Sequence, residues 1–325
     1  MALPEHKLSE SPNTRAIDVA GWIITASTAP ISSMRECDWL SATLDIPLPE
    51  MTFGSNALTL KHRASGAKLA FSTLEALRCV VNGPLGDGDG GVKVGYADKW
   101  LQSRTDPNSQ LPLPTTVAAK VYDWTYTTTY SGHHHFDEPA ENEDEMPPAS
   151  ESTPITWKPA DPEDSADAIP MAELTRSDPI LFYAEIPLYE DELHDNGSST
   201  LIARIRVMPT CWFILLRYTL RVDNVLFRTY DTRIFHSFAS SPPTIIREIS
   251  GWEAPYASVQ RRLPRYDDMT PLTDPAFIAK ILSELPKTTT QKNGAQTGWR
   301  GMGNKKEVAK LDLLPAAQSI TSSES

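Results

Sequence analysis

Three long alternating runs, joined by very short connections, dominate the second half of the chain. They occupy residues 200–209, 211–222 and 225–235, and a shorter fourth run follows at 244–252. In a strand, successive side chains point to opposite faces, so this alternation is typical of strands. Connections this short favour neighbouring antiparallel strands, because a parallel crossover needs a dozen or more residues. The sequence therefore predicts an antiparallel sheet at the centre of the fold.

The run at 211–222 has two unlike faces. One face is wholly apolar, from Trp212 to Val222, and is expected to lie in the core. The opposite face is half apolar and half basic, so another layer or a ligand should cover it. A groove with apolar walls and arginine donors suits an extended peptide, especially one that bears a carboxylate. The residues of this second face are Phe213, Leu215, Arg217, Thr219 and Arg221.

Shorter elements are predicted around this sheet. A capping box, in which Ser72 and Glu75 satisfy each other's backbone N–H groups, favours a helix at 72–81. Clean alternation at 123–130 predicts a strand. The pattern as a whole predicts an α+β fold that is strand-dominated, with mainly antiparallel sheets and a few short helices. Further strands are expected at 21–27, 57–62, 65–71 and 181–193, the last at a sheet edge, and further helices at 32–44, 97–103, 170–176 and 274–285.

The domain organisation follows from composition along the chain. Residues 1–17 are polar and predicted to be loose, and 18–285 form a single α+β domain. An insertion at 131–167 is rich in Glu, Asp, Pro and Ser, and is predicted to be disordered because it buries too little apolar surface. Its three histidines, at 133–135, are expected to be exposed and incidental. The tail, 286–325, is predicted to be mostly disordered, with a docked part that could include Trp299, Val308 and Leu311.

Charge and cysteine content restrict the partners and the compartment. The 42 acidic and 30 basic side chains give a net charge of −12, which disfavours nucleic-acid and anionic-membrane binding. The three cysteines, Cys37, Cys79 and Cys211, have largely apolar neighbours and form no Cys-x-x-Cys motif, so they indicate reduced, buried thiols. No basic-then-apolar signal opens the chain. We expect a soluble protein of the cytoplasm, or also of the nucleus, without a cofactor.

The acidic stretch "YEDELHDNG" at 189–197 has several interpretations. Its Asn196-Gly197 step predicts a type I′ hairpin turn between two strands. Alternation would place Glu190, Glu192 and His194 on one face, where they could bind a divalent ion in a metal-dependent hydrolase. However, no catalytic motif accompanies them. Pairing with the arginines of the following strands, or contact with a partner, is the alternative use of these acids.

Five strings resemble the TIP41-like family. They are "LPEMTFGSNALTL", "FSTLEALRCV", "VYDWTYTTTYSG", "LYEDELHDNGSSTLIARIRVMP" and "FILLRYTLRVDNVLFRTYDTR". They occur in order, and the likeness runs from Trp22 to about Trp252 apart from the insertion, which is longer and more acidic than in the family. The strings are long and rare, so the resemblance is specific.

The resemblance implies a regulator that is not an enzyme. Members of the family bind the catalytic subunit of type 2A serine/threonine protein phosphatases, including its carboxy-terminal tail. They are associated with TOR-pathway signalling through the Tap42/alpha4 phosphatase-associated protein. Such a protein can inhibit the phosphatase or alter which subunits join it.

The resemblance also implies partner-binding residues in this chain, which are Glu75, Ile169, Thr229 and Asp231. They join Arg217 and Arg221 of the half-basic face as candidates. Glu75 stands where the family has an aspartate, so the charge is kept with a different reach. Purely structural roles stay open: a helix cap for Glu75, core packing for Ile169, and an ion pair with Arg228 or Arg233 for Asp231. An acidic scaffold that recruits basic partners through the insertion is a further alternative function.

Overall fold

The structure is a computed structural model and describes residues 3–83, 122–136, 153–161, 168–266, 268, 270–274, 277, 280, 281, 284 and 306–313. The described part is strand-dominated, as predicted, with a few short helices. Its strands are β1 (His6–Ser11), β2 (Thr14–Val19), β3 (Trp22–Ser27), β4 (Met51–Thr52), β5 (Ala57–His62), β6 (Ala67–Ser72), β7 (His133–Phe136), β8 (Thr153–Pro154), β9 (Lys158–Ala160), β10 (Phe182–Asp191), β11 (Gly197–Val207), β12 (Cys211–Val222), β13 (Leu226–Ser237), β14 (Thr244–Pro255) and β15 (Lys306–Asp312). The helices are α1 (Met34–Leu44), α2 (Thr73–Arg78), α3 (Met171–Leu174) and α4 (Tyr256–Gln260), and a 3₁₀ turn spans Thr270–Thr273.

Two antiparallel sheets pack face to face. The smaller sheet has the strand order β1-β2-β3-β5-β6-β7-β8, and the larger has the order β4-β10-β11-β12-β13-β14-β15-β9. The apolar inner faces of both sheets share one core. Trp22 of β3 and Trp212 of β12 are fully buried there, with ring centroids 5.1 Å apart in an edge-on arrangement. The architecture is therefore a β-sandwich.

The predicted run of strands forms the centre of the larger sheet. Strands β11 to β14 pair consecutively, and the pairing places Arg217 opposite Asp231. Every apolar residue of β12 from Trp212 to Val222 on the inner face is buried, as the alternation predicts. The edge strand predicted at 181–193 is β10, whose end also pairs with the two residues of β4.

The predicted loose N-terminus is wrong from residue 6 onward. Strand β1 pairs along its whole length with β2, which in turn pairs with β3. Strand β1 is largely exposed while β2 buries Ile17 and Val19, so the hairpin is held by its second strand. The polar composition of residues 6–11 reflects an exposed edge strand rather than a loose segment.

The predicted disorder is also wrong for parts of the insertion and the tail. The histidine strand β7 pairs with β6, and β8 and β9 pair with β7 and β15. In the tail, β15 pairs with β14 and buries Val308 and Leu311, the docking residues predicted from sequence. Residues 137–152 and 162–167 of the insertion lie outside the described residues, as do Trp299 in the tail and the helix predicted at 97–103.

The strand predicted at 123–130 does not form. Asp123 is fully buried, and its carboxylate accepts from the backbone N–H groups of Thr125 and Thr127 and from the Thr125 hydroxyl. These side-chain bonds replace the partner strand that the alternating pattern suggested. Tyr218 of β12 donates its hydroxyl to the Thr125 carbonyl at 3.0 Å. The segment therefore packs against the inner face of the larger sheet, with the side chains of Asp123 and Thr125 hydrogen-bonded.

Helices α1, α2 and α3 lie where they were predicted, whereas α4 was not predicted and the expected caps do not all form. The Glu36 N–H donates to the Ser33 hydroxyl at the start of α1. No such bond forms at Ser72 before α2, and Glu75 pairs with Arg78 at 2.6 Å instead. The predicted capping box is therefore wrong. In the helix predicted at 274–285, the described positions 277, 280, 281 and 284 are helical.

The sequence predicts three buried, reduced thiols and no membrane-spanning segment. Cys211 is buried, whereas Cys37 and Cys79 are half-buried, and all three are free thiols. Full burial was therefore the right prediction for Cys211 alone. Among the described residues, no helix combines the length and the apolar composition that crossing a bilayer requires.

Candidate partner-binding groove

The outer face of the larger sheet is covered at its two ends and open between them. At one end, Phe227 of β13 packs with the cluster formed by α4 and the 3₁₀ turn. At the other end, Phe235 packs with Ile169 and Leu174 beside α3. The half-basic face of β12, singled out from the sequence, lies between these two clusters. Another layer therefore covers part of it, as expected, and leaves a groove over the rest.

The groove has a volume of about 320 Å³. Its floor crosses neighbouring strands, because the pairing aligns Thr200, Thr219 and Thr229 in one row and Ile202, Arg217 and Asp231 in the next. The described side chains that line it are Met51, Glu190, Asp191, Glu192, Ser198, Thr200, Ile202, Arg204, Arg217, Thr219, Arg221 and Leu272.

Arg217 and Asp231 form the best-formed ion pair of this face. The guanidinium donates two hydrogen bonds to the two carboxylate oxygens, at 2.7 and 2.8 Å, and both side chains are nearly inaccessible. Burial alone would lower the pKa of Arg217, but the hydrogen bonds and charge of Asp231 raise it overall. Asp231 also accepts from Arg233 at 2.7 Å. This carboxylate therefore holds two arginines in the floor of the sheet.

The other two arginines of the groove are paired less firmly. Arg204 donates to Glu185, its neighbour across the strand pair, at 2.7 Å. Arg221 lies 3.0 Å from Asp223, but this contact is not aligned as a hydrogen bond, and the Arg221 Nε–H has no other acceptor among the described residues. Arg221 is therefore the cation of the groove that is best placed to bind an incoming carboxylate.

Glu190 adds a carboxylate to the same groove. It lies opposite Thr200, and burial, followed by the charge of Glu185, raises its pKa. The groove therefore combines three arginines with a carboxylate that is poorly solvated. A ligand with matching donors and anionic groups would contact both signs of charge.

The sequence model of the TIP41-like family matches residues 51–260 of this chain. The chain belongs to the TIP41-like family. It is 37% identical over 282 residues to the TIP41-like protein of Arabidopsis thaliana, which covers 86% of this chain and 90% of that relative. It is 36% identical over 262 residues to the TIP41-like protein of Homo sapiens, or 80% and 83% of the two chains. A Saccharomyces cerevisiae relative, named Type 2A phosphatase activator TIP41, is 32% identical over 287 residues, or 84% and 72% of the two chains.

The predicted site residues of this TIP41-like chain fall in three places. Arg217, Arg221, Thr229 and Asp231 lie on the outer face of the larger sheet, where Thr229 is buried in the row beside the ion pair. Ile169 belongs to the apolar cluster that closes one end of that face, and its N–H donates to Glu248 at 3.2 Å.

Glu75 stands apart from this group. It lies on α2, whose buried residues Ala76 and Leu77 belong to the core between the sheets. Among the described residues, its carboxylate pairs with Arg78, and no hydrogen bond or ion pair joins it to the groove. Asp231 forms an ion pair with Arg233, which is one of the two structural pairings predicted for it. The other predicted partner, Arg228, pairs with Glu253 on the opposite face of the sheet.

The acidic stretch at 189–197 divides into separate roles. The left-handed backbone of Leu193, His194 and Asp195, rather than of Asn196, makes the turn, so the type I′ prediction is wrong. The strand β10 ends at Asp191, so strand alternation does not extend to Glu192 and His194. The described residues contain no group of three His, Cys, Asp or Glu side chains able to hold a metal ion. The hydrolase alternative therefore lacks its ligand set.

Asp191 and Gly197 of that stretch have structural roles. Asp191 is buried and accepts from the N–H groups of Glu50 at 3.0 Å and Leu193 at 2.7 Å, which fixes the corner. A Cβ on Gly197 would lie 1.9 Å from the Arg221 carbonyl oxygen. The glycine is therefore required by the close approach of β12. The acidic side chains of the stretch 189–197 do not form the predicted ion pairs with the arginines of the neighbouring strands. Arg204 pairs with Glu185 instead.

Several groove residues escaped sequence reasoning. Met51 and Leu272 come from segments far away in the chain, and no local pattern connects them with β12. Thr200 and Ile202 could have been found, because alternation along β11 places them on the face that Arg217 shares once the two strands pair.

Proposed function

We propose that this chain regulates a type 2A serine/threonine protein phosphatase by binding its catalytic subunit in the outer-face groove. Two yeast relatives, from Saccharomyces cerevisiae and Schizosaccharomyces pombe, carry the name type 2A phosphatase activator. The first is similar over most of this chain. A binding role also agrees with a groove that offers arginines and hydroxyls but no assembled set of metal ligands among the described residues.

The observation that carries the proposal is the open strip of sheet between two apolar clusters. Thr219 and Ile202 offer a polar and an apolar contact at its centre, and Arg221 offers a cation without a well-aligned acceptor. An extended peptide with a carboxylate satisfies all three. The carboxy-terminal tail of the catalytic subunit has this chemistry, and we assign this tail to the groove. We further propose that Ile169, Thr229 and Asp231 of this chain take part in binding it.

Membership of the TIP41-like family also suggests where the chain acts, in which pathway, and with which further partner. We infer action in the cytoplasm or nucleus within TOR-pathway signalling, and contact with a Tap42/alpha4-type phosphatase-associated protein. Glu75, on α2, lies apart from the groove and would contact a different part of the catalytic subunit. The names of the yeast relatives favour activation over inhibition as the outcome.

Retention of purified catalytic subunit on the immobilised chain tests the function. We expect the intact catalytic subunit to be retained, and a catalytic subunit shortened by its carboxy-terminal tail to be retained less. No retention of the intact subunit would contradict the function. Equal retention of the two forms would contradict the assignment of the tail to the groove while leaving the partner in place.

A shortened chain separates this proposal from the acidic scaffold. Deletion of the whole insertion would remove β7, β8 and β9, which belong to the two sheets. Removal of residues 137–152 alone keeps these strands. The groove account predicts full retention of the catalytic subunit by this variant, whereas a scaffold that works through the insertion predicts a loss.

A further inference from the structure

A second cavity lies at the opposite edge of the larger sheet. The chain between β8 and β9 crosses from one sheet to the other, and Trp157 in this crossing closes the side of the sandwich. Beneath it is a cavity of about 410 Å³, lined by Trp157, Arg247, Ile249, Glu307 and Val308 among others. Pairing places Arg247 opposite Ala309, and Ile249 opposite Glu307, on the same inner face. The cavity is therefore distinct from the outer-face groove.

Arg247 is the unusual residue of this cavity. It lies on β14 between Ile245 and Ile249, which are both buried in the core. Its guanidinium stacks on the ring of Trp157, 4.3 Å from the centroid. Its Nε–H is inaccessible to solvent and has no hydrogen-bond acceptor among the described residues. Buried N–H groups nearly always have a hydrogen-bond partner, so an inaccessible guanidinium Nε–H without an acceptor is uncommon in a folded protein.

The electrostatic surroundings of Arg247 also favour the binding of an anion. Burial lowers the pKa of Arg247, opposed by Tyr230 and Glu307. Glu307 lines the cavity, but no ion pair between it and Arg247 forms in the described part of the chain. The half-buried cation thus has no carboxylate bound to it among the described residues, and an oxyanion entering the cavity would offset the cost of its partial burial.

We propose that this cavity binds the oxyanion group of a small ligand, a carboxylate or a phosphate, through Arg247. The planar guanidinium, held against Trp157, presents its N–H donors in the fork arrangement that matches such oxygens. The aromatic stack fixes one face of the guanidinium and leaves its edge for the anion. The site does not depend on the phosphatase-binding proposal, because it lies on the inner face and at another edge of the sheet.

Thermal unfolding and calorimetric titration of the full chain test the site. Sodium phosphate and sodium acetate serve as probes, each compared with sodium chloride at the same ionic strength. We expect a saturable rise in melting temperature with at least one probe and none with chloride. In Arg247→Met, which keeps much of the apolar stem, the affinity should fall at least about tenfold. Arg35→Met, at an exposed arginine of α1, should bind as the wild type does.

The two probes and a second variant, Glu307→Gln, determine which results support the site and which overturn it. Phosphate-only or acetate-only binding supports the site and identifies the oxyanion that it takes. Glu307→Gln removes the negative charge from the cavity and should tighten binding, so it tests the site even if Arg247→Met does not fold. The proposal is overturned by the lack of a saturable shift with either probe, by an equal shift in Arg247→Met, or by unchanged affinity in Glu307→Gln.

Discussion

Arg217 of β12 and Asp231 of β13 lie directly opposite each other and join through two hydrogen bonds, at 2.7 and 2.8 Å, in the floor of the groove. Both side chains are nearly inaccessible to solvent, and Asp231 also accepts from Arg233. The pair therefore contributes to the stability of the sheet in addition to any contact with a partner.

Asp231→Ala should destabilise the protein strongly. The change leaves Arg217 buried without its carboxylate and beside a second arginine, so we expect a loss of about 3–5 kcal/mol in the free energy of unfolding. Arg217→Met combined with Asp231→Leu removes both charges and should recover most of that loss. Urea denaturation of the three proteins gives the comparison. A single variant as stable as the wild type would show that the pair is not structural.

Glu190→Gln should raise the melting temperature at neutral pH. Burial and the charge of Glu185 raise the pKa of Glu190 above its ordinary 4.5 in the folded chain. The stability linked to this group is therefore full below pH 4.5 and is lost as the pH rises through the raised folded pKa. Scanning calorimetry between pH 4 and 8 should show a gain that shrinks on acidification. Exposed Glu10→Gln on β1 is the control, and a gain that does not depend on pH would contradict this explanation.

Acidification should destabilise the core through His236. Burial lowers its pKa from 6.5 to about 4, and its ring lies against both Trp22 and Trp212. The unfolded chain takes up a proton near pH 6.5 while the folded chain does not, so the unfolding free energy falls between these values and levels off below. At about 1.4 kcal/mol per pKa unit, the loss is on the order of 3 kcal/mol.

The His236→Gln variant checks that origin. It should lower the slope of unfolding free energy against pH between 6.5 and 4. Part of the slope should remain, because burial, assisted by the charge of Arg247, lowers the pKa of His134 to about 3. A variant with the wild-type slope would assign the acid sensitivity to other groups.

The central strands could be predicted because their alternation is long and their connections are short. Residues 200–235 show a complete apolar face, and a shift of one residue would expose it to water. The half-basic face was predictable for the same reason, since Arg217 and Arg221 share it by alternation alone. Arg217 and Arg221 therefore followed from local pattern, whereas Thr229 and Asp231 were expected from the family resemblance alone.

Contacts between distant segments could not be predicted in this way. Strands β7 and β15 have polar neighbours in sequence, and they are ordered only because β6 and β14 offer open edges to pair with. At 123–130 the alternation was misleading, because the carboxylate of Asp123 satisfies the backbone that a partner strand would otherwise bind. Met51 and Leu272 reach the groove through the tertiary fold alone.

The most direct test of the account is the affinity of purified type 2A catalytic subunit for the wild-type chain and two arginine variants. Thr219→Arg places a bulky cation in the centre of the groove, and Thr59→Arg makes the same change on the outward side of β5 in the smaller sheet. Circular dichroism should confirm that both are folded. We expect Thr219→Arg to weaken binding at least about tenfold and Thr59→Arg to leave it unchanged. Equal affinity of the wild type and folded Thr219→Arg would contradict the claim that this groove binds the phosphatase.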